Sequence, residues 1–271
     1  MDNRPVGVFD SGLGGLTAVR EIMNILPSEN VIYFGDTGRV PYGGRSRETI
    51  IKYARQDVQF LQSFDLKAIV IACGTVSTTA MDVITREYTL PIFGVVDPTA
   101  RRAAGATRNG KIALIGTQAT VRSGAYERLI QKWNPEAEVR AYPCPLFVPL
   151  VENGRFRRGD IVIETVASEY LKPIRDWGAD TLVLGCTHYP LLMDVIGEYL
   201  GGGVVLVNSG VEVAADLKRQ LRIRDLTADP GQSGDCCYYV SDSVEGFSQL
   251  ASVFLNRDLS DSVEKVDIEK Y

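Results

Sequence analysis

The sequence predicts an α/β protein of two pseudo-symmetric domains, each with a mostly parallel sheet, that share a cleft. Strand and helix signals alternate along the chain, the pattern typical of parallel sheets with crossover helices. Two short apolar runs, residues 67–73 and 180–186, each end in a cysteine that a hydroxyl residue follows closely. Two further predicted strands, 6–9 and 111–115, each run into a turn that opens a helix. This repetition indicates two similar units, each contributing one loop and one cysteine to the cleft.

Apolar β-branched runs bounded by turn residues predict nine strands: 6–9, 30–34, 68–72, 92–95, 111–115, 138–142, 181–184, 204–207 and 236–240. Helices fill most of the gaps. The helix at 17–26 opens with a hydroxyl residue, and the helix at 47–64 follows Ser46, a good N-terminal cap. The pattern restarts after Asp97-Pro98 and after Asn208-Ser209-Gly210, which we interpret as hinges. The first domain therefore comprises 1–97 plus 209–271, and the second domain, 98–208, is inserted within it.

The composition is that of an ordinary globular protein and argues against membrane, secreted, nucleic-acid-binding and metal-binding proteins. The chain has 271 residues, of which 45% are hydrophobic, enough for one large or two modest cores. No apolar stretch approaches the roughly 18 residues of a membrane span, and the N-terminus lacks a signal-peptide pattern, so we expect a cytoplasmic protein. A net charge of −5 offers no basic stripe for nucleic acid. One histidine and the lack of a C-x-x-C pair predict no metal site.

Cys73 and Cys186 are the main candidates for catalysis. Both come at the carboxyl end of a predicted buried strand, the edge at which open parallel sheets bind ligands. A single cysteine after an apolar run is usually a small structural hydrophobe, but repetition and polar neighbours favour a function for this pair. Cys144, Cys236 and Cys237 lack that context, so we expect them to pack. Five cysteines, an odd number, suit reduced thiols better than a disulfide framework.

Two glycine-rich loops are candidates for holding a small ligand. The first begins with Asp10 and Ser11, and its G-L-G-G spacing differs from the dinucleotide fingerprint. A carboxylate that accepts from an ammonium, beside helix-terminal N–H groups that hold a carboxylate, suits a small zwitterion. The second loop, residues 35–46, lets the backbone approach a ligand at its glycines and offers the hydroxyl of Tyr42. The alternative for such a loop is a plain surface turn.

Other polar residues extend these candidates. His188 follows Cys186 by two residues, where it is placed to help form a thiolate or pass on a proton, although a lone histidine is more often structural. The carboxylates considered for proton transfer are Asp10, Asp36 and Glu152, and Glu152 also fits a helix-ending turn. Four threonines add donors without charge, which suits carboxylate recognition by hydrogen bonds rather than by an Arg clamp: Thr75, Thr117, Thr120 and Thr187.

Five blocks follow one another across nearly the whole chain: FDSGLGGLT at 9–17, YFGDT at 33–37 with PYG at 41–43, ACGT at 72–75, IGTQATVRS at 115–123 and LGCTHYPL at 184–191. In content and order they resemble glutamate racemase, the cofactor-independent member of the aspartate/glutamate racemase superfamily. The resemblance implies two α/β domains with the active site in the cleft between them, frequent homodimers, and conversion of L-glutamate to D-glutamate for peptidoglycan.

The resemblance also implies the site residues. Cys73 and Cys186 would be the acid/base pair, Cys73 serving the D-isomer and Cys186 the L-isomer, with Asp10 and His188 as further catalytic candidates. Racemisation moves a proton off one face of Cα and another onto the opposite face, so two thiols suffice without pyridoxal phosphate or metal. The expected substrate contacts are Asp10, Ser11, Asp36, Pro41, Tyr42, Gly43, Gly74, Thr75, Thr117, Thr120, Glu152, Thr187 and His188.

One departure from the family falls in the site. The family usually has Asn after the first cysteine, where this chain has Gly74; we expect this change to remove a donor and open space beside Cys73, and Gly74→Asn to be tolerated. The altered pocket keeps a second reading open, a racemase for aspartate or another small amino acid. A different class is a binding or regulatory protein: an inactive relative, against which the two intact cysteines argue, or an inhibitor of a partner such as DNA gyrase, for which the sequence reveals no partner-binding segment.

Overall fold

The computed structural model describes residues 1–255, 259 and 262–271; positions 256–258 and 260–261 of the expected first domain lie outside the described residues. The strands are β1 Val6–Asp10, β2 Val31–Gly35, β3 Ala68–Ile71, β4 Ile92–Gly94, β5 Lys111–Gly116, β6 Glu138–Pro143, β7 Thr181–Leu184, β8 Val205–Asn208, β9 Cys236–Val240 and β10 Val263–Lys265. The α-helices are α1 Leu16–Ile25, α2 Arg47–Leu61, α3 Gly74–Thr79, α4 Met81–Glu87, α5 Val96–Ala106, α6 Gln118–Ser123, α7 Ala125–Trp133, α8 Phe147–Glu152, α9 Ile161–Trp177, α10 Met193–Leu200, α11 Ser209–Ile223 and α12 Val244–Leu255. Short 3₁₀ turns lie at Tyr42–Gly44, Tyr189–Leu192 and Ile268–Lys270.

Two parallel sheets organise these elements. One has the order β10-β9-β2-β1-β3-β4 and the other β6-β5-β7-β8. All the strand pairings described in both sheets are parallel. The order β2-β1-β3-β4 repeats as β6-β5-β7-β8, so β3 and β7 occupy equivalent positions. We call the parts built on these sheets the six-stranded half and the four-stranded half.

Apolar residues on both faces of the strands explain the layered packing. In β3, Ala68 and Val70 point into one hydrophobic cluster, while Ile69 and Ile71 point into another. This alternation follows from the two-residue period of a strand. The first cluster continues from the six-stranded half into the four-stranded half, whereas the second lies against α2. The buried core thus fixes the sheets relative to each other.

The predicted strands are confirmed, with ends within two residues. The structure adds β10, which the sequence analysis missed because Val263–Lys265 is short and largely exposed. Ser46 caps α2 by accepting a hydrogen bond from the Thr49 N–H at 3.3 Å, and α2 ends at Leu61 rather than at 64. No helix within the described residues is long and apolar enough to cross a membrane.

Both segments interpreted as hinges lie at helix starts rather than in open linkers. Asp97 and Pro98 fall in the first turn of α5, where proline lacks only an N–H that the helix does not use. Asn208 caps α11 by accepting from the Gly210 N–H at 2.9 Å. The domain boundaries near these segments stay a prediction.

Candidate active site

A cavity of about 460 Å³ lies where the carboxyl ends of β1, β3, β5 and β7 face one another across the two halves. It contains both Cys73 and Cys186. A larger, more open groove of about 880 Å³ is lined by residues of α2 to α7 and lacks a thiol, so the smaller cavity is the candidate site. The predicted residues that line it are Ser11, Pro41, Tyr42, Gly43, Cys73, Gly74, Thr75, Thr117, Glu152, Cys186, Thr187 and His188. Asp10, Asp36 and Thr120 are fully buried behind its wall.

Cys73 leaves β3 as the N-terminal cap residue of α3 and is 4% exposed. Its Sγ donates toward the Ser11 hydroxyl at 3.4 Å. Burial, and then the nearby carboxylate of Asp10, raise the pKa of the Cys73 thiol to about 12, because both disfavour a second negative charge. This group is therefore a protonated thiol at neutral pH, ready to give a proton.

Cys186 has a different neighbourhood. Its Sγ lies 3.8 Å from His188 Nδ1, and His188 Nε2 lies 3.0 Å from Glu152 Oε1. Burial opposes a charge on the imidazole, but the hydrogen bonds to Cys186 and Glu152 outweigh it and raise the pKa of His188 to about 10. The ring is therefore a cation at neutral pH, with N–H groups toward both partners. A cation beside a thiol favours the thiolate.

Asp10 links the two halves beneath the cavity. Its carboxylate accepts from the Gly12 N–H at 3.0 Å and from the Thr187 hydroxyl at 3.4 Å. Burial raises its pKa above the ordinary value, an effect that the charge of His188 opposes. The loop at 10–15 thus holds its carboxylate inward, where it acts on the potential around Cys73 and orients Thr187.

Asp36 supports the second loop from behind. It accepts hydrogen bonds from the Tyr42 hydroxyl, from Arg39 Nε at 2.6 Å and from the Ser241 hydroxyl at 2.7 Å. Arg39 also bonds the buried Asp57 at 2.9 Å. The Tyr42 hydroxyl therefore donates to Asp36 within the protein, and its contact with a ligand stays a prediction. Tyr42 lines the cavity while this network fixes its ring.

The threonines divide into lining and supporting residues. Thr75 Oγ1 and Thr117 Oγ1 lie 3.0 Å apart, one from each half, and both line the cavity. Thr117 also donates to the Thr120 hydroxyl at 3.0 Å and caps α6 by accepting from the Thr120 N–H at 3.2 Å. Thr120 therefore holds Thr117 in place, and Thr187 completes the hydroxyl lining.

The prediction that Gly74 opens space beside Cys73 is wrong on the side that faces Gly185. A Cβ at this position would lie 2.5 Å from the Gly185 carbonyl oxygen, a backbone atom that cannot turn away. A side chain at 74 requires the two halves to shift, so Gly74→Asn is not a neutral addition. Two backbones approach closely here instead.

An apolar wall was missed by the sequence analysis. Pro145, Val148 and Pro149, with Val40 opposite, line part of the cavity. The first three lie just after β6, so the strand-end rule that found the cysteines would also have found this segment. Among the described lining residues there is no Arg or Lys, and no group of three or more His, Cys, Asp or Glu side chains in the described ranges is placed to hold a metal ion.

Comparisons with known proteins agree with the family that the sequence blocks resemble. The Asp/Glu/Hydantoin racemase family matches residues 19–217. The chain is 46% identical over 266 residues to a glutamate racemase of Geobacter metallireducens, covering 98% of this chain and 97% of the relative. It is 44% identical to one from Thermoanaerobacter pseudethanolicus, over the whole length of both.

Solved structures agree as well. A glutamate racemase isoform from Bacillus anthracis superposes with a TM-score of 0.93 at 35% identity, covering 98% of both chains. The Francisella tularensis enzyme, in complex with D-glutamate, gives 0.91 at 37% identity over all of both chains. An aspartate racemase from Picrophilus torridus, at 16% identity and a TM-score of 0.57, shares the fold alone. The resemblance seen in the sequence blocks is confirmed, and the chain belongs to the Asp/Glu/Hydantoin racemase family.

Proposed function

We propose that the protein is a glutamate racemase, which interconverts L- and D-glutamate without a cofactor and supplies D-glutamate for peptidoglycan. One observation carries the proposal: the equivalent strands β3 and β7 deliver two thiols, Cys73 and Cys186, to a single cavity. Relatives at 44–46% identity along nearly the whole chain are glutamate racemases, whereas the aspartate racemase structure is remote. Glutamate is thus favoured over aspartate.

The geometry supports a two-base reaction with distinct roles. With L-glutamate, the Cys186 thiolate takes the Cα proton and becomes a thiol, while the electron pair left on Cα delocalises into the substrate carboxylate. The Cys73 thiol then gives its proton to the opposite face and becomes a thiolate. With D-glutamate the roles exchange. His188 stabilises the thiolate of Cys186, and the high pKa of Cys73 makes it a proton donor at the start of the L-to-D direction.

The other predicted site residues have two proposed roles: some bind the substrate, and others keep the binding residues in place. The proposed donors to the two carboxylates are the Ser11 hydroxyl and the backbone N–H groups of Gly43 and Gly74. The Thr75 and Thr187 hydroxyls join them by turning from Thr117 and Asp10 toward the substrate. The negative charge of Asp10, which is buried behind the cavity wall, balances the positive charge of the substrate ammonium. The supporting residues proposed here are Asp36, Pro41, Tyr42, Thr117, Thr120 and Glu152. We also propose that the enzyme is a cytoplasmic homodimer.

Proton exchange at Cα is the experiment that tests this function. Purified protein in D₂O, without added cofactor, is incubated with L- or D-glutamate and followed by proton NMR and chiral chromatography. We expect loss of the Cα proton and appearance of the other enantiomer from both starting points. Aspartate, alanine and serine serve as comparison substrates; preferred turnover of one of these, or exchange of none, would overturn the glutamate assignment.

A further inference from the structure

Three glycines of the six-stranded half abut the four-stranded half around the cavity: Gly14, Gly43 and Gly74. A Cβ on Gly14 would overlap the Thr187 hydroxyl and lie 2.6 Å from His188 Nδ1. A Cβ on Gly43 would lie 2.8 Å from the Thr117 Cβ. Cβ atoms avoid such distances, so each glycine permits an approach that other residues forbid. We call these three residues the glycine seam.

Gly74 is the member of the seam that has least room to yield. Its opposing atom is the carbonyl oxygen of Gly185, and that peptide is fixed from the other side. The Gly185 N–H donates to the Ile115 carbonyl at 2.8 Å, and a Cβ on Gly185 would itself lie 2.7 Å from Leu114 Cδ1. The chain next to Cys186 therefore cannot retreat from α3.

Hydrogen bonds cross between the halves at the same separation. Thr17 donates to the Thr187 carbonyl at 2.9 Å, and the hydroxyls of Thr75 and Thr117 meet at 3.0 Å. These bonds need the backbones to stay as close as the seam allows, because a hydrogen bond weakens quickly beyond its normal length. The close contacts at the glycines and these hydrogen bonds thus hold the two halves at the same separation.

We propose that the glycine seam sets the separation of the two halves and so the reach of Cys73 and Cys186 toward a shared substrate carbon. Gly74 and Gly185 adjoin the two cysteines directly, so a shift at their contact is passed on to both thiols. A misplacement of about 1 Å costs roughly a hundredfold in rate when reacting groups must align. Gly74, which stands where the family usually has Asn, is a positioning residue in this chain. The inference rests on the proposed racemase function.

Alanine substitutions test the seam. Gly74→Ala and Gly43→Ala are compared with Gly105→Ala, a matched control in α5 at which a Cβ meets nothing within 4 Å. Two readouts are measured: glutamate racemisation, and the rate at which iodoacetamide alkylates each cysteine, followed by peptide mass. Buried Cys144 is the internal reference for general unfolding.

For Gly74→Ala we expect kcat/KM to fall by roughly 10- to 100-fold and Cys73 and Cys186 to alkylate severalfold faster, with Cys144 unchanged. Gly43→Ala, whose Cβ would overlap its neighbour less (2.8 Å against 2.5 Å for Gly74), gives a smaller effect in the same direction, and Gly105→Ala matches the wild type. Wild-type rates for both readouts in Gly74→Ala would overturn the proposal. If that variant does not fold, Gly43→Ala decides by the same criteria. If Gly74→Ala speeds alkylation of the two cysteines but the wild-type protein does not racemise glutamate, the proposal for the glycine seam is supported and the proposed function is wrong.

Discussion

The charge on His188 is open to a direct test through Glu152→Gln. Glutamine keeps the shape of the side chain and removes its charge. In the wild type, hydrogen bonds to Cys186 and Glu152 prevail over burial and hold the pKa of His188 at about 10. Without the carboxylate we expect this pKa to fall from about 10 toward the ordinary 6.5 while the contact with Cys186 remains, so that the ring loses its proton at a lower pH than in the wild type.

The distance from the ring to the thiol gives the magnitude. His188 Nδ1 and Cys186 Sγ are 3.8 Å apart, and unit charges about 4 Å apart attract by about 4 kcal/mol at an effective dielectric constant near 20. Since about 1.4 kcal/mol is a factor of ten, losing the cation removes up to roughly a thousandfold of electrostatic stabilisation from a negative charge on the Cys186 sulfur. We expect kcat/KM for glutamate to fall by up to roughly 1,000-fold at a pH where the ring is charged in the wild type and neutral in the variant.

Since the chain has one histidine, the imidazole proton resonance reports His188 without assignment work. Its titration midpoint near pH 10 in the wild type should fall by at least about one pH unit in Glu152→Gln. Glu87→Gln, which breaks a surface pair with Arg55, is the matched control and should leave midpoint and activity unchanged. A wild-type midpoint near 6.5, or equal midpoints in wild type and Glu152→Gln, would refute the reasoning. Because folding raises this pKa, the stability that the pair adds is complete below about pH 6.5 and is lost as the pH rises through about 10.

Three further outcomes are expected. Cys73→Ala and Cys186→Ala should each abolish racemisation, since one face of Cα loses its proton carrier; near-normal turnover in both directions by either variant, measured by chiral chromatography, would contradict the two-base reaction. EDTA and hydroxylamine treatment should leave full activity, and a strict need for added metal or pyridoxal phosphate would disprove the cofactor-free mechanism. Lys67→Met should lower the free energy of unfolding by about 3–5 kcal/mol in urea titrations, because it strands the buried carboxylate of Glu29; a loss under about 1 kcal/mol would show that the ion pair is not needed.

The strand-end rule accounts for what the sequence predicted well. Buried parallel strands have long apolar runs, so the positions of Cys73 and Cys186 at strand ends follow from local pattern, and parallel order then brings strand ends to one edge. The support behind Tyr42 could not be predicted in this way. Asp57 of α2 and Ser241 after β9 join the Asp36–Arg39 pair from distant parts of the chain, and a single sequence contains no record of those contacts.

The error at Gly74 has a related cause. A missing side chain predicts free space only if the opposing surface stays where it is, and the position of that surface depends on how two sheets pack. The carbonyl of Gly185 occupies the space instead. The structure brings the predicted residues together at one cavity, but sequence reasoning misjudged a distance across it, because distances between the halves arise from packing over the entire core.

The unequal surroundings of the two thiols have a thermodynamic consequence. Cys73 sits near a carboxylate and Cys186 near an imidazolium, so the thiols proposed to deprotonate the two mirror-image substrates lie in different electrostatic environments. Free L- and D-glutamate nevertheless have identical free energies, and the Haldane relation makes kcat/KM equal in the two directions whatever the protein does. The asymmetry can therefore appear only in the separate constants: whichever enantiomer turns over faster at saturation must also have the proportionally higher KM.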